Sequence, residues 1–160
     1  QDPDVILVGE MRDAESIDIA LKAAETGHMV YSTVHTTDAA KTIGRVVGVF
    51  PAEEQQMVRF RLADNLKATI SQRLLPRADG KGRAVAAEIM IVTETVKELI
   101  KDATKTSSLK DVIEQGRNTY HMQTFDQHLT DLYKGGIISL KTAIEAASSP
   151  SDFQRALNFD

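Results

Sequence analysis

At 160 residues the chain has the length of one ordinary domain, or of one domain with a small appendage. With 42% hydrophobic and 26% charged residues it has the balance of a soluble globular protein, and the absence of cysteine excludes disulfides and thiolate metal sites within it. A formal net charge of −4 gives no overall basic surface that would recommend nucleic acid as a partner.

Val5 to Val8 is a continuous apolar run, which predicts a strand covered on both faces within a parallel sheet. Gly9 ends it. Asp13 is a fair helix N-cap, and Ile17, Ala20, Leu21 and Ala24 then share one buried face before Gly27 stops the helix. A second strand is expected from Met29 to Val34, completing a βαβ unit whose crossover is right-handed. Thr36 or Thr37 can cap the next helix, which reaches Val49 before Phe50-Pro51 breaks it. Val58, Leu62, Leu66, Ile70 and Leu74, at uniform steps of four, predict one long helix. Asp79-Gly80-Lys81-Gly82 is a turn signal whose flanks could pair as a hairpin, with Ala84 to Val92 as the return strand. That stretch is the longest apolar one. It is too short to cross a bilayer and contains Glu88.

From Thr93 onward strand signals vanish. Helices are expected from Thr93, from Ser107 or Ser108 to Gln115, from Thr124 to Lys134, from Ser139 to Ala147, and from about Ser149-Pro150-Ser151. Thr124 with Gln127 forms a capping box, and Phe125, Leu129, Leu132 and Tyr133 form the buried stripe behind it. The expected division is therefore an α/β part over 1–92 and a helical part over 93–160. The chain opens on Gln1-Asp2-Pro3-Asp4 and runs at once into a buried-type strand, so it is expected to be a segment of a longer protein.

Two residues sit where chemistry is expected. Glu10 and His35 follow the two strands of the βαβ unit, and ligands of an open parallel sheet bind beyond the carboxyl ends of its strands. A carboxylate there can orient and deprotonate a water, or hold Mg²⁺ directly or through water; a neutral imidazole beside it can sense or polarise a phosphate. A carboxylate at a strand end is more often a solvated loop residue and a lone His in a Thr-rich loop more often a cap or a satisfied polar group, so spacing alone stops at an α/β domain with a nucleotide site as one option. Arg73, Arg77, Lys81 and Arg83 form a local basic group that reads either as a patch or as a solvated face. His121 and His128 would share a face only if one helix carried both, and Thr124 is expected to start a helix between them.

The strings themselves carry the reading further. Asp2-Pro3-Asp4-Val5-Ile6-Leu7-Val8-Gly9-Glu10-Met11-Arg12-Asp13 resembles the Walker B region of secretion and pilus ATPases. Ala23-Ala24-Glu25-Thr26-Gly27-His28, followed by Ser32-Thr33-Val34-His35-Thr36-Thr37, resembles their His box. Ser71-Gln72-Arg73-Leu74-Leu75 fits the same superfamily, and Met122-Gln123-Thr124-Phe125-Asp126-Gln127 is similar to the C-terminal signature of the type IV pilus retraction ATPases, PilT and PilU. Extension ATPases generally carry a four-cysteine zinc element, and this chain has no cysteine. The retraction motif of the type Ala-Ile-Arg-Asn-Leu-Ile-Arg-Glu matches Thr95-Val96-Lys97-Glu98-Leu99-Ile100-Lys101-Asp102, with Lys twice in place of Arg and Glu in place of Asn. Lys cannot reproduce a bidentate Arg contact.

The resemblance implies a RecA-like P-loop ATPase core, of which this chain holds the C-terminal half (mostly parallel sheet with a hairpin), followed by a small helical subdomain. It implies ATP and Mg²⁺ as ligands, Glu10 as the catalytic carboxylate, His35 as the nucleotide-sensing residue, and Arg12 and Glu15 as supporting members of the motif. It further implies a cytoplasmic homo-hexamer, peripheral to the inner membrane, that works on the pilus platform protein, with a second retraction ATPase as a further partner. No Gly-x-x-x-x-Gly-Lys-Ser/Thr occurs in the 160 residues, so the chain alone is expected to bind ATP poorly or not at all. A regulatory ring member with weak turnover and a non-enzymatic interaction module are the alternative readings.

Overall fold

The computed structural model describes residues 3–157. In chain order its elements are β1 (Val5–Glu10), α1 (Ala14–Glu25), β2 (Met29–Thr33), α2 (Ala39–Gly48), α3 (Ala52–Asn65), β3 (Ala68–Pro76) and β4 (Arg83–Ile91). Then come α4 (Glu94–Lys101), a 3-10 turn (Thr106–Ser108), α5 (Leu109–Gln115), α6 (Arg117–Tyr120), α7 (Phe125–Lys134), α8 (Leu140–Ala146) and α9 (Pro150–Leu157). They gather into two compact units. One holds the described residues up to Ala68 together with Ile91–Val112; the other holds Thr69–Met90 and the described residues from Ile113.

The first unit is built on the βαβ motif. β1 and β2 pair in parallel, with Val5 opposite Met29 and Leu7 opposite Tyr31, and an irregularity falls between Leu7 and Glu10. Asp13 caps α1 by accepting from the Ser16 amide at 2.8 Å, and Gly27 leaves the helix with φ 93°. α3 packs against α1, α2 and α4, burying Val58, Leu62 and Ala63. Two α3 side chains hold the end of α4: Gln56 donates to the Lys101 carbonyl, and Arg59 donates to the Ile100 carbonyl and the Thr106 hydroxyl. These bonds satisfy carbonyls that a helix end leaves without intrahelical partners.

The second unit is a hairpin with helices. β3 and β4 are joined through residues 77–82, where the Arg77 amide donates to the Gly82 carbonyl and Gly80 and Gly82 take positive φ. So short a connection requires an antiparallel pair. Leu75, Ala84, Ala86, Phe125, Leu129, Ile138, Ala143 and Phe153 form its core. Thr124 and Gln127 make the expected capping box at the start of α7.

Four expectations change. The β1–β2 pair is not covered on both faces: Leu7 is 79% exposed, and Val5, Met29 and Tyr31 beside it are also exposed. α1 packs against β2. Asp38, not Thr36 or Thr37, caps α2, its carboxylate accepting from the Lys41 amide at 2.8 Å; a charged acceptor next to a helix N-terminus outcompetes a hydroxyl. The long helix ends at Asn65, and Ile70 and Leu74 lie on the outward face of β3. A step of four keeps a residue on one face of a strand as well as near one face of a helix, so the spacing did not discriminate. The units also do not follow a single cut near residue 93. The hairpin joins the C-terminal helices because Ile89 exchanges two backbone bonds with Gln123, and because the Ala87 amide donates to His128 Nδ1 at 2.9 Å. α4 joins the first unit through Gln56 and Arg59.

Candidate active site

The strand ends deliver Glu10 and His35 to one place. The Met11 amide donates to the Thr33 carbonyl at 3.0 Å, and the Ser32 hydroxyl donates to the Gly9 carbonyl at 2.6 Å, which ties the two strand ends together just where the ladder becomes irregular. His35 Nε2 stands 3.4 Å from Glu10 Oε1. The guanidinium of Arg12 pairs with the other carboxylate oxygen, Oε2. Glu10 is thus gripped from both sides and only 24% exposed at its side chain, whereas Arg12 and His35 reach into solvent.

The electrostatics follow from that grip. The hydrogen bond from Arg12 holds the Glu10 carboxyl below its ordinary value of 4.5, partial burial opposes this, and the charges of Arg12 and His35 add to the lowering. The carboxylate in turn raises Arg12 above the usual arginine value. An ionised carboxylate with one oxygen facing an imidazole can accept a proton from a water or take part in a cation's coordination sphere. Such a group fits the role implied for Glu10.

The loop carrying His35 is fixed by its own bonds. The Thr36 amide donates to the Val34 carbonyl, the Thr36 and Thr42 hydroxyls lie 2.7 Å apart, Thr37 donates to Asp38, and Lys41 Nζ donates to Thr37 at 2.9 Å. Asp38 is the residue that sequence reasoning passed over here. An aspartate directly before Ala39-Ala40-Lys41 was the available signal, a stronger cap than either threonine.

The other expected residues scatter. Glu15 lies in the first turn of α1 and lines an open groove beside the start of α3 instead of meeting Glu10. Asp2 of the Walker B-like string lies outside the described residues. The retraction-motif stretch is α4 and its exit: Val96 and Ile100 are fully buried, Leu99 is half-buried, and Lys97 pairs with Glu94 at 2.6 Å. Lys101 stands 3.4 Å from Glu98 and 3.6 Å from Asp64, and Asp102 accepts from the Thr104 amide and hydroxyl. Both lysines are therefore engaged along the helix flank as point charges, in keeping with the loss of the arginine fork.

Of the basic group, Arg73 lies over the Phe125 ring at 3.9 Å and donates to the Ala146 carbonyl, and Arg77 pairs with Asp79. His121 ends α6 at φ 56° while His128 lies in α7, so no helix face carries both. No group of three or more His, Asp or Glu able to hold a metal occurs among the described residues.

Comparison with known proteins places this geometry in context. Residues 1–135 match the family model described as type II/IV secretion system protein. The chain is 50% identical over 153 residues to the "Type IV pilus retractation ATPase PilT" of Pseudomonas aeruginosa, covering 96% of this chain and 44% of that protein. It is 38% identical over 154 residues to the "Type IV pilus ATPase PilU" of the same organism, covering 96% of this chain and 40% of that one. Among solved structures, the pilus retraction motor PilT with bound ADP superposes with a TM-score of 0.81 at 44% identity, over 97% of this chain and 43% of that one. The chain thus spans about two fifths of the length of the curated relatives it matches.

Proposed function

Because this chain belongs to the type II/IV secretion system protein family, we propose that it carries the catalytic carboxylate of a motor ATPase that drives type IV pilus retraction. The observation that supports this reading is Glu10 at the tip of β1, ionised and held between Arg12 and His35 on the edge where a parallel sheet binds its ligands.

In this account Glu10 orients a water against the γ-phosphate of ATP and accepts its proton as the bond to the departing ADP oxygen breaks. His35 reports the presence of the γ-phosphate to the start of α2, which Asp38 caps, since its Nε2 lies close enough to Glu10 for both to meet one ligand. Arg12 fixes the Glu10 rotamer and keeps the carboxylate charged. Mg²⁺ supplies charge neutralisation on the phosphates when bound, and Glu10 is the residue that would touch it, directly or through water. Glu15 has no place in this step.

The 160 residues contain no backbone cradle and lysine for the phosphates, so the chain alone binds ATP weakly or not at all. The complete motor is a ring of six copies on the cytoplasmic side of the inner membrane, acting on the pilus platform protein and alongside a second retraction ATPase. No helix among the described residues is long and apolar enough to cross a membrane. α4, with Val96 and Ile100 inward, presents Thr95 and Glu98 to such a partner.

The test is genetic. Deleting the gene should leave surface pili in place and abolish their retraction, and the wild-type gene, but not its Glu10→Ala form, should restore it. Retraction at wild-type rates in the deletion strain would refute the assignment.

A further inference from the structure

The tip of β1 is set by a break in the β1–β2 ladder. From Leu7 opposite Tyr31 to Glu10 opposite Thr33, β1 advances three residues while β2 advances two, so Val8 and Gly9 share the single position of Ser32. One extra residue in one strand is a bulge, which bends that strand and re-aims the side chain that follows. Had the pairing run on unbroken, Glu10 would stand opposite Val34. A step of one residue along a strand is about 3.3 Å, as large as the whole separation of 3.4 Å between Glu10 Oε1 and His35 Nε2. The bulge therefore decides whether the two residues meet.

Gly9 does not hold the bulge by itself. Its backbone lies outside the positive-φ region, and a β-carbon at that position would meet no atom within 4 Å among the described residues. The extra residue of a bulge drops out of the ladder, so its carbonyl needs a donor from elsewhere. Ser32 supplies one: its hydroxyl donates to the Gly9 carbonyl at 2.6 Å. Beyond Glu10 the backbone pairing resumes, with the Met11 amide donating to the Thr33 carbonyl at 3.0 Å. Glu10 thus lies between one side-chain bond and one backbone bond, and only the first can be removed by substitution.

We infer that Ser32 is a positioning residue for the Glu10 carboxylate: by holding the Gly9 carbonyl it fixes the bulge that sets Glu10 against His35. The inference rests on the proposed role of Glu10, and Ser32 acts on that residue only through the Gly9–Glu10 peptide. The bond is open to solvent, so in Ser32→Ala a water can serve the carbonyl and the chain keeps its fold. What is lost is the fixed direction of the donor, and with it the fixed placement of the carboxylate.

The test compares wild type, Ser32→Ala, Ser32→Thr and Glu10→Ala in the full-length protein. For each, kcat for ATP hydrolysis, ATP affinity by equilibrium binding and the thermal midpoint are recorded. The net contribution of one hydrogen bond is equivalent to roughly two- to tenfold in rate. Ser32→Ala should therefore lower kcat by at least about threefold, with ATP affinity and midpoint kept. Ser32→Thr, which restores a hydroxyl, should recover at least about half of the lost rate, a pattern that a general loss of structure would not give. A smaller fall in Ser32→Ala, a fall matched by lost affinity or a lowered midpoint, or no recovery in Ser32→Thr overturns the inference. With Glu10→Ala inactive, such a result leaves the reading of Glu10 standing. Near-normal turnover in Glu10→Ala, or none in wild type, overturns both.

Discussion

Arg61 is the residue whose removal should say most about how the βαβ unit holds its shape. From α3 it reaches α1 twice, donating through Nε and Nη2 to the two oxygens of Glu25 at 2.6 and 3.1 Å, and through Nη1 to Asp18 at 2.8 Å. The guanidinium is 23% exposed and the carboxylates about a third, so each pair keeps only part of its Coulomb energy. Discounted for that screening, the fork to Glu25 and the single bond to Asp18 contribute roughly 0.5–1 kcal/mol each, and Arg61→Leu should cost about 1–2 kcal/mol. Urea unfolding at pH 7 measures it, with Arg61→Lys expected to recover less than half because it cannot form the fork.

The pH dependence sharpens the test. Arg61 holds the Glu25 carboxyl below its ordinary value of 4.5, and Lys22 first and Arg61 second hold Asp18 below 3.8. Depressed carboxyl values mean stability that is present above the unfolded values and lost as pH falls through the folded ones. The gap between wild type and Arg61→Leu should therefore be constant from pH 7 to about 5 and close below 4. A gap that persists unchanged into acid would show that Arg61 acts by packing its stem instead of by pairing.

Three further outcomes follow from the geometry. Thr124→Ala removes the cap that accepts from the Gln127 amide and should lower stability by about 1 kcal/mol, read by urea unfolding. Leu129→Ala, at a fully buried position in the core behind α7, should cost about 2–5 kcal/mol, and the same assay reads it. Arg12→Leu in the full-length protein should move the acid limb of ATPase activity to higher pH, because Glu10 loses the bond that holds its carboxyl low; an unmoved limb would detach Arg12 from Glu10.

Much of this structure could be read from residue order, and the failures have physical causes. The βαβ unit, the Asp13 cap, the Gly27 stop, the hairpin turn and the Thr124–Gln127 box were all visible because each rests on local chemistry within a few residues. The passage from α3 to β3 was not, since Leu66, Ile70 and Leu74 satisfy helical and strand spacing alike, and the pairing of β3 with β4 is what distinguishes the two. α6 went unseen because Arg117–Tyr120 is a single turn without a side-chain cap. At the site, the positions of Glu10 and His35 followed from strand ends, but their 3.4 Å approach and the Arg12 pair depend on parallel register and on the irregularity after Leu7. Glu15, named through the resemblance as a supporting member of the motif, lies in the first turn of α1 and lines the groove beside α3.

The most direct test of the account is steady-state ATP hydrolysis by the full-length protein, wild type against Glu10→Ala, with nucleotide binding measured on both. The account requires turnover in wild type, a loss of at least about a hundredfold in the variant, and ATP binding kept in both. Near-normal turnover in Glu10→Ala would contradict it and remove the carboxylate at the tip of β1 from the chemistry.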